Sequence, residues 1–331
     1  WKDLVAGKDK KLNNRAVQGA YPPGSTFKIF MAVAALAEGV ITPQQAISCP
    51  GYLSFAGRRY RCHKASGHGP VNLFSAMVQS CDVYFYTVGQ RLGVDRIHQY
   101  ATMFGLGERT GLDLVMEESG IIPSTEWKQR YFRKPEDKKW YPGETLSVAI
   151  GQGAVTVTPL QLARAVATLA NGGNVLKPYI VSRIISNDGH LLDEFAPTVI
   201  RGIDVDPGIL AKVRESLVGV VNDPRGTGKR ARLDDPEIIV AGKTGTAQVV
   251  SLGKESSHEH LQDHAWFVAY APADDPEIVV SVLIENGGHG GVAAAPVAHD
   301  MFQAYFSGRK PSESEVNSSE SSLQSPQADL Q

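Results

Sequence analysis

Ser25 and Lys28, in the stretch Tyr21-Pro22-Pro23-Gly24-Ser25-Thr26-Phe27-Lys28, have the types and spacing of a nucleophile and its base. A serine hydroxyl attacks poorly at neutral pH and needs a base within hydrogen-bond reach. A lysine serves when desolvation lowers its pKa. The neighbouring sequence supplies that setting. Pro22-Pro23-Gly24 makes a rigid turn that is not helix. The run Ile29 to Leu36 is apolar on every side, which predicts a helix buried all round and ended by Gly39. Ser25 then stands at the first turn of that helix and Lys28 one turn later on the same face. Free N–H groups at the helix start favour negative charge at Ser25. The spacing recurs at Ser251-x-x-Lys254, in a polar histidine-bearing stretch, and at Ser307-x-x-Lys310, in a Ser-rich tail. Neither precedes an apolar run, so context rather than spacing singles out Ser25.

Two further short elements follow in order: Ser80-Cys81-Asp82 and Lys243-Thr244-Gly245-Thr246. Alone, Ser80 reads as a helix cap and Lys243 to Thr246 as an exposed strand end. Together with Ser25 they bring a second hydroxyl, a carboxylate and a second cation to one reaction centre.

The elements that must position these residues are legible in outline. Asn72 caps a helix to Val78, and helices follow over Val83–Leu92, Asp95–Phe104 and, from Pro159 at its first position, Leu160–Ala170. Residues 47–70 read as an irregular Gly- and Arg-rich loop with short strands, and 111–145 as a surface excursion. Gly151-Gln152-Gly153 is a tight turn; Gln152 is read either as lining the cleft or as a turn residue. A strand is expected over Tyr179–Ile185, before an Asp188-Gly189 turn, and an amphipathic helix over 207–221. Strands over 240–250, 265–271 and 278–285 predict an antiparallel meander, closed by a helix over Val292–Phe306. Early helix, helical middle and late sheet give an α+β fold with terminal helices packed on the sheet. The domain is expected over 1–308, with an all-helical subdomain over about 29–175. Residues 1–20 read as irregular, and 309–331 as a disordered Ser/Glu/Gln tail.

The chain has 331 residues and a net charge of −2, which argues against a nucleic-acid partner. No apolar run is long enough to span a bilayer. The chain opens on Trp1 rather than Met, without a signal peptide, and so reads as a piece of a longer protein.

The three elements, with Glu126-Trp127-Lys128, Ile150 to Gly153, Lys243 to Gln248 and Glu285-Asn286-Gly287-Gly288, resemble the transpeptidase domain of penicillin-binding proteins, over roughly residues 1–306. Within that family the chain is similar to the penicillin-binding protein 2 subfamily, the class B elongation-type enzymes, in which Asp at the place of Asp82 is the usual pattern. The resemblance implies the serine β-lactamase-like fold, an antiparallel sheet flanked by helices. It implies a peptidoglycan D,D-transpeptidase that cross-links stem peptides through a serine acyl-enzyme and is acylated by β-lactams. Ser25 would attack the D-Ala-D-Ala carbonyl and Lys28 would take its proton. Ser80 would pass protons to the leaving amine, with Asp82 holding that network in register. Lys243 would supply positive charge beside Lys28, keep Lys28 neutral and attract the substrate carboxylate. Thr244 and Thr246 would bind that carboxylate, and Gly245 would admit the substrate to the strand edge. The N–H groups of Ser25 and Thr246 would form the oxyanion hole. The implied partners are a glycosyltransferase and elongation-complex proteins, and the implied location is the periplasmic face of the inner membrane, with an N-terminal anchor outside this chain. The rival readings are a D,D-carboxypeptidase or β-lactamase of the same fold, a β-lactam-sensing module, and a structural subunit with dispensable chemistry.

Cys49, Cys62 and Cys81 are the only cysteines, an odd count that excludes complete pairing within the chain. With His68 they make a ligand set for a structural zinc ion. The spacing lacks the short Cys-x-x-Cys pair, but the loop needs a staple, and members that the chain resembles carry Asp or Cys near the same His-Gly element. A metal there would hold Cys81, and with it Ser80 and Asp82, from behind. His63 is the rival to His68. A Cys49–Cys62 disulfide and three unpartnered buried cysteines are the alternatives. The group His258, His260, His264 and His289 reads as a solvated loop rather than a metal site. No cofactor is expected for the chemistry itself.

Overall fold

The computed structural model describes residues 12–114, 116–248 and 262–308. The histidines His258 and His260, the Ser251–Lys254 spacing, residues 249–250 of the third motif's strand, and the tail 309–331 lie outside the described residues. So do Arg309 and Lys310 of the Ser307 spacing and the first part of the segment 1–20. Within that segment a short helix, α1, forms over Arg15–Gln18, capped by the Asn14 side chain.

The apolar run after Ser25 forms helix α2, Lys28–Ala37, preceded by a single 3₁₀ turn over Gly24–Phe27. Every residue from Lys28 to Ala35 is buried, as its unbroken apolarity predicts. Phe27, Ile29, Phe30, Met31 and Val33 join the main core, each contributing roughly 1.5–3 kcal/mol by burial. Around α2 lie α3 (Leu73–Val78), α4 (Asp82–Leu92), α5 (Val94–Met103) and α10 (Pro207–Asn222), while α9 (Pro159–Ala170) packs on the sheet. The expected Asn72 cap forms as a capping box with Ser75.

The short strands expected over 47–70 form and pair. Strands β1 (Ile47–Cys49) and β4 (Gly69–Val71) pair antiparallel, and between them β2 (Tyr52–Phe55) and β3 (Arg58–Arg61) form a hairpin. The excursion 111–145 likewise contains helices: α6 (Thr125–Tyr131), α7 (Pro135–Lys138) and the start of α8 (Pro142–Ala149). Their signals were local. Ser124 caps α6, and Pro135 and Pro142 stand at first helical positions. The buried Lys128 ammonium then ties α6 to α8 through Glu144 Oε2 at 2.6 Å, beside the rings of Trp140 and Tyr141.

Residues 174–202 carry β5 (Asn174–Lys177), β6 (Arg183–Ile185), β7 (Leu191–Glu194) and β8 (Thr198–Gly202), paired β5–β8 and β6–β7. The expected strand over 179–185 is realised only as β6. Helix α10 covers Pro207–Asn222.

The sheet is the expected meander, β9 (Ala241–Ala247), β10 (His264–Ala271) and β11 (Ile278–Ile284), with β10 central. Alternation along β10 divides the core. Trp266, Val268 and Tyr270 face the helical mass, whereas Ala265, Phe267 and Ala269 pack with Ala294, Ala298 and Phe302 of α11 (Gly290–Ser307). The molecule is α+β, with helices on both faces of an antiparallel sheet.

Candidate active site

The Ser25 turn is clamped onto the edge of β9. Gly24 has φ +55°, and a Cβ there would stand 2.3 Å from the Thr246 carbonyl oxygen. Gly245 is equally tight, with its Cβ position 2.8 Å from Pro23 O and 2.9 Å from Thr26 Cγ2. Gly24 N–H donates to Gly151 O at 2.9 Å, Trp266 Nε1 donates to Pro22 O at 3.0 Å, and Gln152 Nε2 donates to Thr246 O at 3.0 Å. The Gly151-Gln152-Gly153 turn thus braces both the serine turn and the strand opposite it. Only glycine can occupy positions 24 and 245 without separating them.

Behind Ser25, the fully buried Lys28 ammonium donates to Ser80 O at 2.9 Å, Ser80 Oγ at 3.3 Å and Asp82 Oδ1 at 2.6 Å. From the other side the equally buried Lys243 Nζ donates to Ser80 Oγ at 2.9 Å and to Thr244 O at 3.2 Å. Ser80 therefore bridges the two lysines. It holds a left-handed backbone, φ +55°, which is uncommon for a residue with a side chain. That conformation lets the chain end α3 at Val78 and start α4 at Asp82 with three residues between them.

Asp82 faces Lys28 directly, whereas the sequence reading places Lys243 as the positive charge beside Lys28. Burial opposes ionisation of Asp82, but the Lys28 charge and the hydrogen bonds from His63 and Lys28 outweigh burial and hold its carboxyl well below the usual range. The resulting ion pair belongs to Lys28. Lys243 makes no ion pair among the described residues, and burial, then the Lys28 charge, push it well below the ordinary lysine value against the pull of Asp82. Two buried lysines joined through a hydroxyl, one paired with a carboxylate and the other pushed down by burial, form a path along which a proton can move.

Thr244 Oγ1 lies 2.8 Å from Thr227 Oγ1. Thr227 was not singled out in the sequence because it stands in a plain glycine-containing loop. Its only signal is position, the loop being held against Gly291 at the start of α11. Gln152, open between two readings, is placed by its bond to Thr246. His264 sits at the start of β10 and accepts from Asn286 N–H at 3.0 Å. His289 precedes α11.

The cysteine cluster assembles. One ligand atom from each of Cys49, Cys62, His68 and Cys81 lies within 4.8 Å of the others, and all but His68 are buried. Cys49 Sγ and Cys62 Sγ each lie 3.5 Å from His68 Nδ1. Tight backbone contacts shape the knuckle: His68 N–H donates to Cys49 O at 3.0 Å and Cys62 N–H to Gly51 O at 2.8 Å. All three cysteines are free, so the disulfide alternative is not formed. The Cys81 thiol hydrogen-bonds to Cys62 and pushes the Cys62 thiol down from its ordinary value. Burial lowers His68, keeping the neutral ring a ligand requires. Three sulfurs and one imidazole at these separations fit a tetrahedral zinc ion. His63, the rival ligand, stays beside the cluster, with Nδ1 3.9 Å from Cys62 Sγ, but is held nearer Asp82: its backbone N–H donates to Asp82 Oδ2 at 2.9 Å, and its Nδ1 lies 3.4 Å from the same oxygen.

The comparisons with known proteins agree with this architecture. Residues 2–303 match the family model described as penicillin binding protein transpeptidase domain. The chain is 40% identical over 327 residues to the peptidoglycan D,D-transpeptidase MrdA of Haemophilus influenzae, covering 96% of this chain and 49% of that protein. It superposes on Pseudomonas aeruginosa PBP2 in complex with WCK 5153 with a TM-score of 0.80 at 38% identity, covering 92% of this chain and 65% of that one. It also superposes on PBP2 of Helicobacter pylori in complex with MreC, with a TM-score of 0.76 at 28% identity, covering 92% and 54%. The chain spans about half the length of the curated relatives it matches. A serine turn docked on a strand edge, with a buried lysine pair behind it, therefore comes with a match over nearly the whole chain, which belongs to the penicillin-binding protein transpeptidase domain family.

Proposed function

We propose that this chain is the acyl-transfer domain of a peptidoglycan D,D-transpeptidase of the elongation type, forming a serine acyl-enzyme with D-Ala-D-Ala stem peptides and with β-lactams. The observation that carries this reading is the chain of contacts Asp82–Lys28–Ser80–Lys243 behind the Ser25 turn. Lys28 must be neutral to take the Ser25 proton. Its ammonium proton passes to Ser80 Oγ while the Ser80 hydroxyl proton moves to the proton-poor Lys243. Neutral Lys28 then accepts the Ser25 proton as Oγ bonds to the carbonyl carbon. The N–H groups of Ser25 and Thr246 receive the developing oxyanion. Collapse of the tetrahedral species breaks the C–N bond, and Ser80 Oγ returns a proton to the departing amine, replenished from Lys243. An incoming amine then takes the acyl group and restores Ser25. Thr244, Thr246 and Gly245 line the strand edge where the substrate carboxylate would lie, with Thr227 orienting Thr244.

The cysteine cluster supports a structural zinc ion held by Cys49, Cys62, His68 and Cys81. Such an ion supplies no step; it would lock the backbone that carries Ser80 and Asp82. The domain is read as residues 1–308, with the helical part at about 29–175 and the tail at 309–331. The full protein is read as acting on the periplasmic face of the inner membrane, beside a glycosyltransferase and other elongation proteins. The MreC complex of the H. pylori relative supports a scaffold partner of that kind.

The test is intact mass with and without benzylpenicillin. A stable adduct absent in Ser25→Ala is the expected result. Rapid turnover of the penicillin would mean a β-lactamase. No adduct and no turnover would leave the chain without acyl-transfer chemistry and reject the proposal. An adduct in wild type together with no D-Ala-D-Ala turnover would point to a sensor.

A further inference from the structure

No acidic residue occurs between Glu38 and Asp82. The same stretch carries Arg58, Arg59, Arg61 and Lys64, all exposed. None of these cations is in an ion pair among the described residues, whereas some exposed arginines elsewhere find carboxylates, as Arg225 does with Asp223 and Arg130 with Glu126. An unpaired cation row without interspersed acids is a local departure in a chain whose net charge is −2.

The hairpin register says where the row points. Leu53 pairs with Tyr60 and Phe55 with Arg58 on the inner face, while Tyr52 pairs with Arg61 and Ser54 with Arg59 on the outer. The inner face packs on α4, with Tyr60 edge-on to Tyr86 at 5.8 Å and Tyr86 Oη donating to Arg61 O at 3.2 Å. Burial alternates onward, so that Arg59, Arg61 and His63 are exposed while Tyr60 and Cys62 turn inward. His63 touches Asp82, the first residue of α4 and the partner of Lys28. The outer face of the hairpin thus leads, residue by alternate residue, to the rim of the catalytic centre. Arg59 is also preset, its guanidinium lying 4.7 Å from the centre of the Tyr52 ring.

We propose that this outer face, Arg59 and Arg61 with Lys64 beyond them, is a carboxylate-binding extension of the cleft that takes the acidic side groups of the substrate's peptide strand. The inference rests on the acyl-transfer reading above. Planar guanidinium forks match carboxylates in a bidentate way, and a ribbon edge suits an extended peptide. The row is too narrow for the broad positive field that nucleic acid requires.

The test compares purified wild type with Arg59→Gln/Arg61→Gln. The probes are a peptide ending in D-Ala-D-Ala with free side-chain carboxylates, the same peptide amidated, and benzylpenicillin. Wild type is expected to favour the acidic peptide roughly three- to tenfold in kcat/KM through KM, an advantage that high salt erodes. The double variant should lose that preference, keep kcat, and acylate with penicillin at the wild-type rate. Arg59→Lys/Arg61→Lys should restore part of the preference. An unchanged preference in the Gln variant, no preference in wild type, or slower penicillin acylation in the variant would overturn the subsite. Failure of wild type to acylate with penicillin at all would instead remove the underlying acyl-transfer reading.

Discussion

Lys28 and Asp82 form an ion pair of 2.6 Å in which the lysine side chain is wholly buried and the aspartate nearly so. They lie on different helices, α2 and α4, so the pair joins the serine-bearing helix to the one that follows Ser80. Removing one partner leaves an uncompensated buried charge. Asp82→Asn is expected to destabilise the fold by roughly 3–5 kcal/mol. Denaturant unfolding checks the stability and penicillin acylation kinetics check the chemistry. A variant as stable as wild type would mean that the pair contributes no net stability.

Gly24→Ala should disable acylation by displacement rather than by chemistry. Its Cβ would meet Thr246 O at 2.3 Å, on a backbone already at φ +55°. Backbone strain of about 1–3 kcal/mol and a misplaced Ser25 should slow acylation about 100-fold. Gly39→Ala is the control: it shares the positive φ, but its Cβ meets nothing within 4 Å. It should lose stability and keep its acylation rate. Equal acylation in both variants would refute the clamp.

Native mass spectrometry should find one zinc ion per chain, released by denaturation. Cys62→Ser should release the metal and lower Tm, because an ion on these four residues would join β1, the residue after β3, the His68 turn and the start of α4. Chelation of wild type should lower Tm in the same way. A wild-type protein without bound metal, or one whose Tm a chelator leaves unmoved, would refute the zinc assignment.

The Arg15–Glu285–Tyr21 clasp gives stability a pH dependence. Tyr21 Oη donates to Glu285 Oε1 at 2.6 Å and Arg15 Nε to Oε2 at 3.0 Å. Burial favours the protonated acid, but these bonds outweigh it and hold Glu285 below its ordinary value of 4.5. A depressed folded-state value means that the clasp contributes fully above pH 4.5 and is lost as pH falls through the lower folded value. Tm of wild type should therefore drop more steeply in that acid window than Tm of Glu285→Gln. Parallel curves would mean the clasp adds nothing.

The chain by itself determined the elements whose signals are local. The all-apolar run after Gly24-Ser25 could only be a buried helix, Asn72 and Pro159 marked their helix starts, and alternation along 264–284 dictated the meander. The order of the three short motifs, and the proximity in sequence of Cys62, His68 and Cys81, also needed no coordinates. Tertiary structure alone decided the rest, because it depends on contacts between residues far apart in the chain. Which lysine pairs with a carboxylate follows from Asp82 meeting Lys28 at 2.6 Å. Thr227 and Gln152 matter only through strand β9, which neither adjoins in sequence. The arginine row acquires a direction only once the hairpin register and its packing on α4 turn Arg59 and Arg61 outward and end them at Asp82.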